Sequence, residues 1–259
     1  MSLIRELFFP EKAKGMLPVI VDVHGGGWVY GNKELNEYYC MELAKLGFVV
    51  CDINYRLCPV TDLKGQVQDV TAALQWIFDH IHQYGGDSEQ ISVTGDSAGA
   101  QLAFLVCAAS ANEAYRRSYE ITSLSKPIKA LGLTCPVSCL HEMAKSQDEM
   151  TREWMQVLYG GEPEQSSLWN CSDYADILTD CKELPSIYIL TTKGDQKYYR
   201  QSLALHDLMN RKQIEHVYRE WESMENKDLG HVFNVLYPAC QDSRAANQEM
   251  VYFFLNVRR

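Results

Sequence analysis

Five consecutive residues, Gly95-Asp96-Ser97-Ala98-Gly99, set a serine between small neighbours directly after the apolar run 91–94. A strand turning sharply into a helix there would hold the serine in a strained backbone conformation with its hydroxyl exposed. The chemistry would be acyl transfer, with the Ser97 hydroxyl attacking a carbonyl carbon. The backbone N–H of Ala98, at the start of the helix, would donate to the developing oxyanion. G-x-S-x-G recurs by chance in many chains, so its weight comes from the strand before it and the alanine-rich stretch after it. A second signal is His24-Gly25-Gly26-Gly27-Trp28, at the end of another apolar run. Three glycines let the backbone come close to a ligand and aim its N–H groups at one point. A flexible turn and a phosphate loop are the alternatives. No Gly-Lys-Ser/Thr follows and the G-x-G-x-x-G spacing is absent, so an oxyanion loop upstream of the nucleophile fits better.

Strand-like and helix-like segments must position these residues, and they alternate along the chain as in a mostly parallel sheet covered by helices. Short runs rich in β-branched or apolar residues at 19–23, 48–53, 91–94, 130–134, 186–190 and 216–221 predict strands. Val67, Val70, Leu74, Ile77 and Ile81 recur at helical spacing and predict a helix over 66–82, with others over 98–111, 198–212 and 245–255. The stretch 137–180 interrupts this rhythm and is too long for a simple connector. It carries Trp154, Met155, Leu158, Tyr159 and Trp169, which look exposed. Two readings stand: a small cap over the active site, or a crossover helix with ordinary core aromatics.

From about Pro18 to the C-terminus the chain resembles the hormone-sensitive-lipase-like branch of the α/β-hydrolases, which includes bacterial carboxylesterases and acetyl- or feruloyl-esterase relatives. His24 to Trp28, Tyr55-Arg56-Leu57-Cys58-Pro59 and Gly95 to Gly99 carry the resemblance. It implies one α/β-hydrolase domain over 1–259 and a catalytic serine at Ser97. The oxyanion-hole N–H groups would come from Gly26, Gly27 and Ala98, with Gly25 shaping the turn and His24 bracing the loop. The acid and base should follow in the order nucleophile, acid, histidine. Asp195 stands just past a predicted central strand, at the strand end where such folds build their sites. A turn or helix-capping aspartate is the alternative. Asp207 falls inside a helix and Asp228 inside a charged loop. His231 follows the last predicted strand in what looks like the family's His-x-Phe element, whereas His206 lies mid-helix and His216 within a strand. Two departures stand out. Only 23 residues precede His24, so an N-terminal cap, and with it an edge strand, is expected to be missing. The family's usual Asp-Pro-Leu is replaced by Asp195-Gln196-Lys197.

Composition narrows the partners. Net charge is −10 with no basic run, which argues against nucleic acid and anionic lipid. No apolar stretch reaches membrane-spanning length, and the N-terminus reads as no export signal. Nine scattered cysteines, with Cys135 and Cys139 spaced unlike a zinc knuckle, read as reduced core residues of a cytoplasmic protein. The expected function is a serine esterase acting on small carboxylic esters, carbohydrate-linked or aryl, with no metal or organic cofactor. An arylformamidase-type amide hydrolase is the nearer alternative, and a non-catalytic ligand receptor on the same scaffold the farther one.

Overall fold

The apolar runs assemble into one seven-stranded sheet in the computed structural model, which describes residues 4–12, 14–181, 183–225 and 227–257. Its strands are β1 Ile4–Phe8, β2 Leu17–Val23, β3 Val49–Ile53, β4 Gly86–Asp96, β5 Ala130–Thr134, β6 Ser186–Thr191 and β7 His216–Glu220. Their spatial order is β1-β3-β2-β4-β5-β6-β7. Every neighbouring pair is parallel except β1 with β3. From β2 the chain moves outward to β3, then crosses back to lay β4 against the other side of β2. That reversal makes the carboxyl ends of β2 and β4 the switch point where α/β sheets open a crevice. Val23 pairs with Gly95 in register, so the glycine loop and the serine turn leave the sheet side by side.

Both faces of the sheet are covered, as continuous apolar strands require. On one face α2 Leu63–His80, α3 Ala98–Ala111, α4 Glu113–Tyr119 and α8 Tyr199–Arg211 supply core residues including Val67, Val70, Leu102, Tyr119, Leu205 and Met209. On the other, α1 Glu37–Ala44, α9 Phe233–Leu236 and α10 Gln241–Asn256 bury Leu43, Phe233, Met250 and Phe254 against Ile20, Val50 and Tyr188. Full burial of one such side chain stabilises by about 1.5–3 kcal/mol.

Several elements differ from the sequence expectation for local physical reasons. An edge strand is present: β1 pairs antiparallel with β3. Helix α2 begins ahead of its apolar stripe because the Asp62 carboxylate accepts from the Gly65 N–H at 3.0 Å and caps it. It ends at His80, and a 3-10 turn over Ile81–Tyr84 follows. Strand β4 starts at Gly86 rather than 91, and α10 starts at Gln241 rather than 245.

The stretch 137–180 contains α5 Leu140–Ala144, α6 Glu149–Tyr159, two 3-10 turns and α7 Tyr174–Asp180. The five large side chains that look exposed in the sequence are buried or half-buried. Met155, Leu158 and Tyr159 are buried in the core shared with α2 and α3, and Trp154 and Trp169 pack against it. Polar ties reinforce that packing: the Tyr174 hydroxyl donates to the Ala100 carbonyl at 3.1 Å, and the Tyr119 hydroxyl to the Cys171 carbonyl at 2.9 Å.

Candidate active site

Ser97 stands between β4 and α3 with φ 53° and ψ −117°, a left-handed backbone that a side-chain-bearing residue adopts only when its surroundings enforce it. The flanking glycines show what enforces it. A Cβ on Gly95 would lie 2.7 Å from the Gly99 backbone, and one on Gly99 would lie 2.0 Å from the Val23 carbonyl oxygen. The turn is therefore pressed against its own helix and against the end of β2. The Ser97 N–H donates to the Thr134 carbonyl at 2.9 Å, which fixes the turn to β5 as well.

The glycine loop is locked to this turn. The Gly25 N–H donates to Asp96 Oδ1 at 2.9 Å, and a Cβ on Gly25 would strike the same carboxylate. His24 is fully buried, stacks on Tyr55 with ring centroids 4.4 Å apart, and donates from Nδ1 to the Gly25 carbonyl at 2.8 Å. Burial lowers its pKa, which keeps the ring neutral and consistent with that bond. The Tyr55 hydroxyl donates to the His24 carbonyl at 2.9 Å. Trp28 is held on both sides, by Gln66 Nε2 donating to its carbonyl at 2.8 Å and by its own indole N–H donating to Gln101 at 3.1 Å. Among the described residues, the backbone N–H groups of Gly26, Gly27 and Ala98 donate to no protein acceptor.

Asp195 and His231 meet. The imidazole Nδ1–H donates to Asp195 Oδ2 at 2.7 Å, which leaves Nε2 free to act as a base. The meeting depends on Gly194: a Cβ there would lie 2.1 Å from the Leu229 carbonyl oxygen, so only glycine lets the acid loop touch the histidine loop. Asp195 Oδ1 accepts from the Tyr198 N–H at 3.0 Å and the Lys197 N–H at 3.3 Å, and the Cys135 thiol, within 4.8 Å of the same carboxylate, helps to lower its pKa. Burial raises the Asp195 pKa, but these donors and the His231 charge outweigh it and hold the carboxyl below its ordinary range. Burial pushes the Cys135 thiol up, so it keeps its proton. No hydrogen bond joins Ser97 to His231 among the described residues; such bonds are often long before substrate binds. The rival residues lie elsewhere. His206 and His216 bond to each other at 2.7 Å between α8 and β7, and Asp207 lies on α8. Asp228 packs beside Gly194 and, among the described residues, forms no hydrogen bond to His231.

Asn36 is a participant with no motif to announce it. Its Nδ2 donates to both Asp22 Oδ2 at 2.8 Å and Asp96 Oδ1 at 2.9 Å, tying two buried carboxyls beneath the site. Burial, followed by the charge of Asp96, pushes Asp22 up to about 8. Burial also raises Asp96, against the donors Asn36 and Gly25. Asp96 could have been noticed as part of the serine motif; Cys135 and Asn36 carried no sequence signal. Among the described residues, two clusters have metal-ligand atoms within 4.8 Å of one another: Cys135, Asp195 and His231, and Asp22, Cys40 and Asp52. In the first, His231 and Asp195 already hydrogen-bond to each other.

Residues 6–209 match the family described as BD-FAE. The probable carboxylic ester hydrolase LipM of Mycobacterium tuberculosis is 28% identical over 185 residues, 70% of this chain and 42% of that protein. The arylacetamide deacetylase of Bos taurus is 38% identical over 104 residues, 37% of this chain and 25% of that protein. The chain thus spans less than half the length of these relatives. A crystal structure of an inhibited esterase B from Lactobacillus rhamnosis superposes with a TM-score of 0.89 at 30% identity, covering 96% of this chain and 80% of that one. With that likeness over nearly its whole length, its sheet is an α/β-hydrolase fold, and the chain belongs to the BD-FAE family.

Proposed function

We propose that this chain is a serine esterase that hydrolyses small carboxylic esters through an acyl-enzyme on Ser97. The observation that carries the reading is the 2.7 Å His231–Asp195 hydrogen bond, at the same sheet edge as the strained Ser97 turn. In the reaction, His231 Nε2 takes the hydroxyl proton as Ser97 attacks the ester carbonyl, and returns it to the departing alcohol. Asp195 orients the ring and stabilises it once charged. The N–H groups of Gly26, Gly27 and Ala98 receive the oxyanion, each contributing on the order of 2.7–4 kcal/mol to the transition state. Water then repeats the attack on the acyl-enzyme, with His231 again as base. The residues 137–180 act as a cap, a role supported by Trp154, whose ring would lie 3.6 Å from a Cβ on Gly27. The free cysteines, buried except for Cys139 and Cys240, suit a reducing, cytoplasmic setting. No helix among the described residues is long and apolar enough to cross a membrane.

Ser97→Ala should lower turnover of p-nitrophenyl acyl esters by roughly 10⁴-fold or more, abolish labelling by a fluorophosphonate probe and leave the melting temperature unchanged. Retained turnover in that variant would overturn the assignment. An aryl amide substrate is the second reading, favoured by the likeness to the deacetylase. An N-formyl or N-acetyl aromatic amine run beside the esters separates the two by relative kcat/KM.

A further inference from the structure

The departure from Asp-Pro-Leu after the acid puts a lysine at the mouth of this site. The backbone N–H of Lys197 donates to Asp195 Oδ1 at 3.3 Å, so the residue's position is tied to the acid itself. Its ammonium lies 4.7 Å from the centroid of Trp154 and 5.2 Å from that of Tyr198. Trp154 is the ring over Gly27 of the glycine loop, and Tyr198 packs against His231 with centroids 5.0 Å apart. The cation therefore stands between the two aromatic side chains that flank the oxyanion loop and the base. Several other basic side chains on this acidic protein have a carboxylate partner, among them Lys193 with Glu220 at 2.8 Å and Lys145 with Glu164 at 3.3 Å. Lys197 forms no ion pair among the described residues. The carboxylate that feels its charge, Asp148, is already engaged by Thr151 through its N–H at 3.1 Å and its hydroxyl at 2.6 Å. Aromatic faces hold a cation without neutralising it, and they keep water from one side of it.

We propose that Lys197, held between Trp154 and Tyr198, is a specificity residue that receives a carboxylate carried by the ester substrate. The inference rests on the esterase reading and names the substrate class within it. The anion can belong to either half of the ester, and the two halves are separable. For the alcohol half, p-acetoxybenzoate is compared with its neutral methyl ester; for the acyl half, mono-p-nitrophenyl glutarate is compared with p-nitrophenyl valerate.

The expected result with Lys197→Met is a fall of about five-fold in the anionic-to-neutral ratio of kcat/KM for one of these pairs, carried by KM. Lys197→Arg should retain the ratio, and Lys197→Glu should lower it further. In the wild type, rising salt should lower the same ratio, because the attraction is screened. If Lys197→Met changes both members of each pair equally, or neither, Lys197 is only a clasp between the cap and the acid loop and the inference is overturned. If neither neutral ester is turned over and the fluorophosphonate probe leaves Ser97 unlabelled, the esterase reading has failed, and the inference falls with it.

Discussion

A carboxylate as buried as Asp195 keeps its charge only where donors replace the water it has lost, and here the imidazole and two backbone N–H groups do so, with the Cys135 thiol beside them. Asp195→Asn would replace the acceptor that selects the His231 tautomer. It should lower kcat on the order of 10⁴-fold with little change in KM, as measured by steady-state kinetics on a p-nitrophenyl ester. Removing the thiol has a different signature. Because the Asp195 pKa is depressed in the folded protein, its charge contributes stability above the ordinary carboxylate range, and that stability is lost as pH falls through the folded value. Cys135→Ala removes a neighbour that helps to lower that value and so moves it upward. The acid-unfolding midpoint, followed by tryptophan fluorescence, should therefore shift to higher pH; a shift to lower pH or none would contradict that influence. Asp195 and His231 could be picked out by residue type and chain order. Cys135 could not, because a buried thiol acts on a carboxylate only where the fold brings the two together.

At the scale of elements, the serine turn is a three-way contact among the ends of β2, β4 and α3. Gly99 is the point of closest approach, with the Val23 and His24 carbonyl oxygens 2.0 and 2.4 Å from where its Cβ would be. Gly99→Ala should force the strand end and the helix apart, cost on the order of 1–3 kcal/mol and lower the melting temperature by several degrees. It should also displace the glycine loop and so reduce turnover. Scanning calorimetry paired with ester hydrolysis tests both, and an unchanged melting temperature would count against the contact. The central strands were legible because they are continuous apolar runs, and α2 and α3 because of periodicity and composition. Strand β1 was not, since an edge strand of five residues is defined by its pairing with β3 rather than by its own pattern. The aromatic residues of α6 looked exposed for a related reason: one helix shows a stripe but not the neighbour that covers it.

Across the whole molecule, the charge balance of the core is a property of its assembly. Asp22 on β2, Asn36 ahead of α1 and Asp96 at the end of β4 meet under the site, and the Asp22 carboxyl is pushed up to about 8 by burial and by Asp96. The folded protein thus retains a proton there that the unfolded chain releases in the ordinary carboxylate range. Between that range and about pH 8 the native state binds more protons than the unfolded state, so the Asp22 contribution to stability falls as pH rises. Asp22→Asn removes the titration. The melting temperature of the variant should decline less than that of the wild type between pH 6 and 8; parallel curves would refute the raised pKa.

Residue chemistry and order along the chain were enough to name the α/β layering, the family resemblance and four stretches carrying candidate chemistry. Each is a local pattern: an apolar run, three glycines, a serine between small residues, a histidine two residues before a phenylalanine. Whether such stretches touch is a matter of long-range packing. The crossing from β3 to β4 set the glycine loop beside Ser97, the bare backbone of Gly194 let Asp195 reach His231, and the lay of α6 carried Trp154 over Gly27 toward Lys197. These contacts join residues far apart in sequence, and no local pattern encodes them.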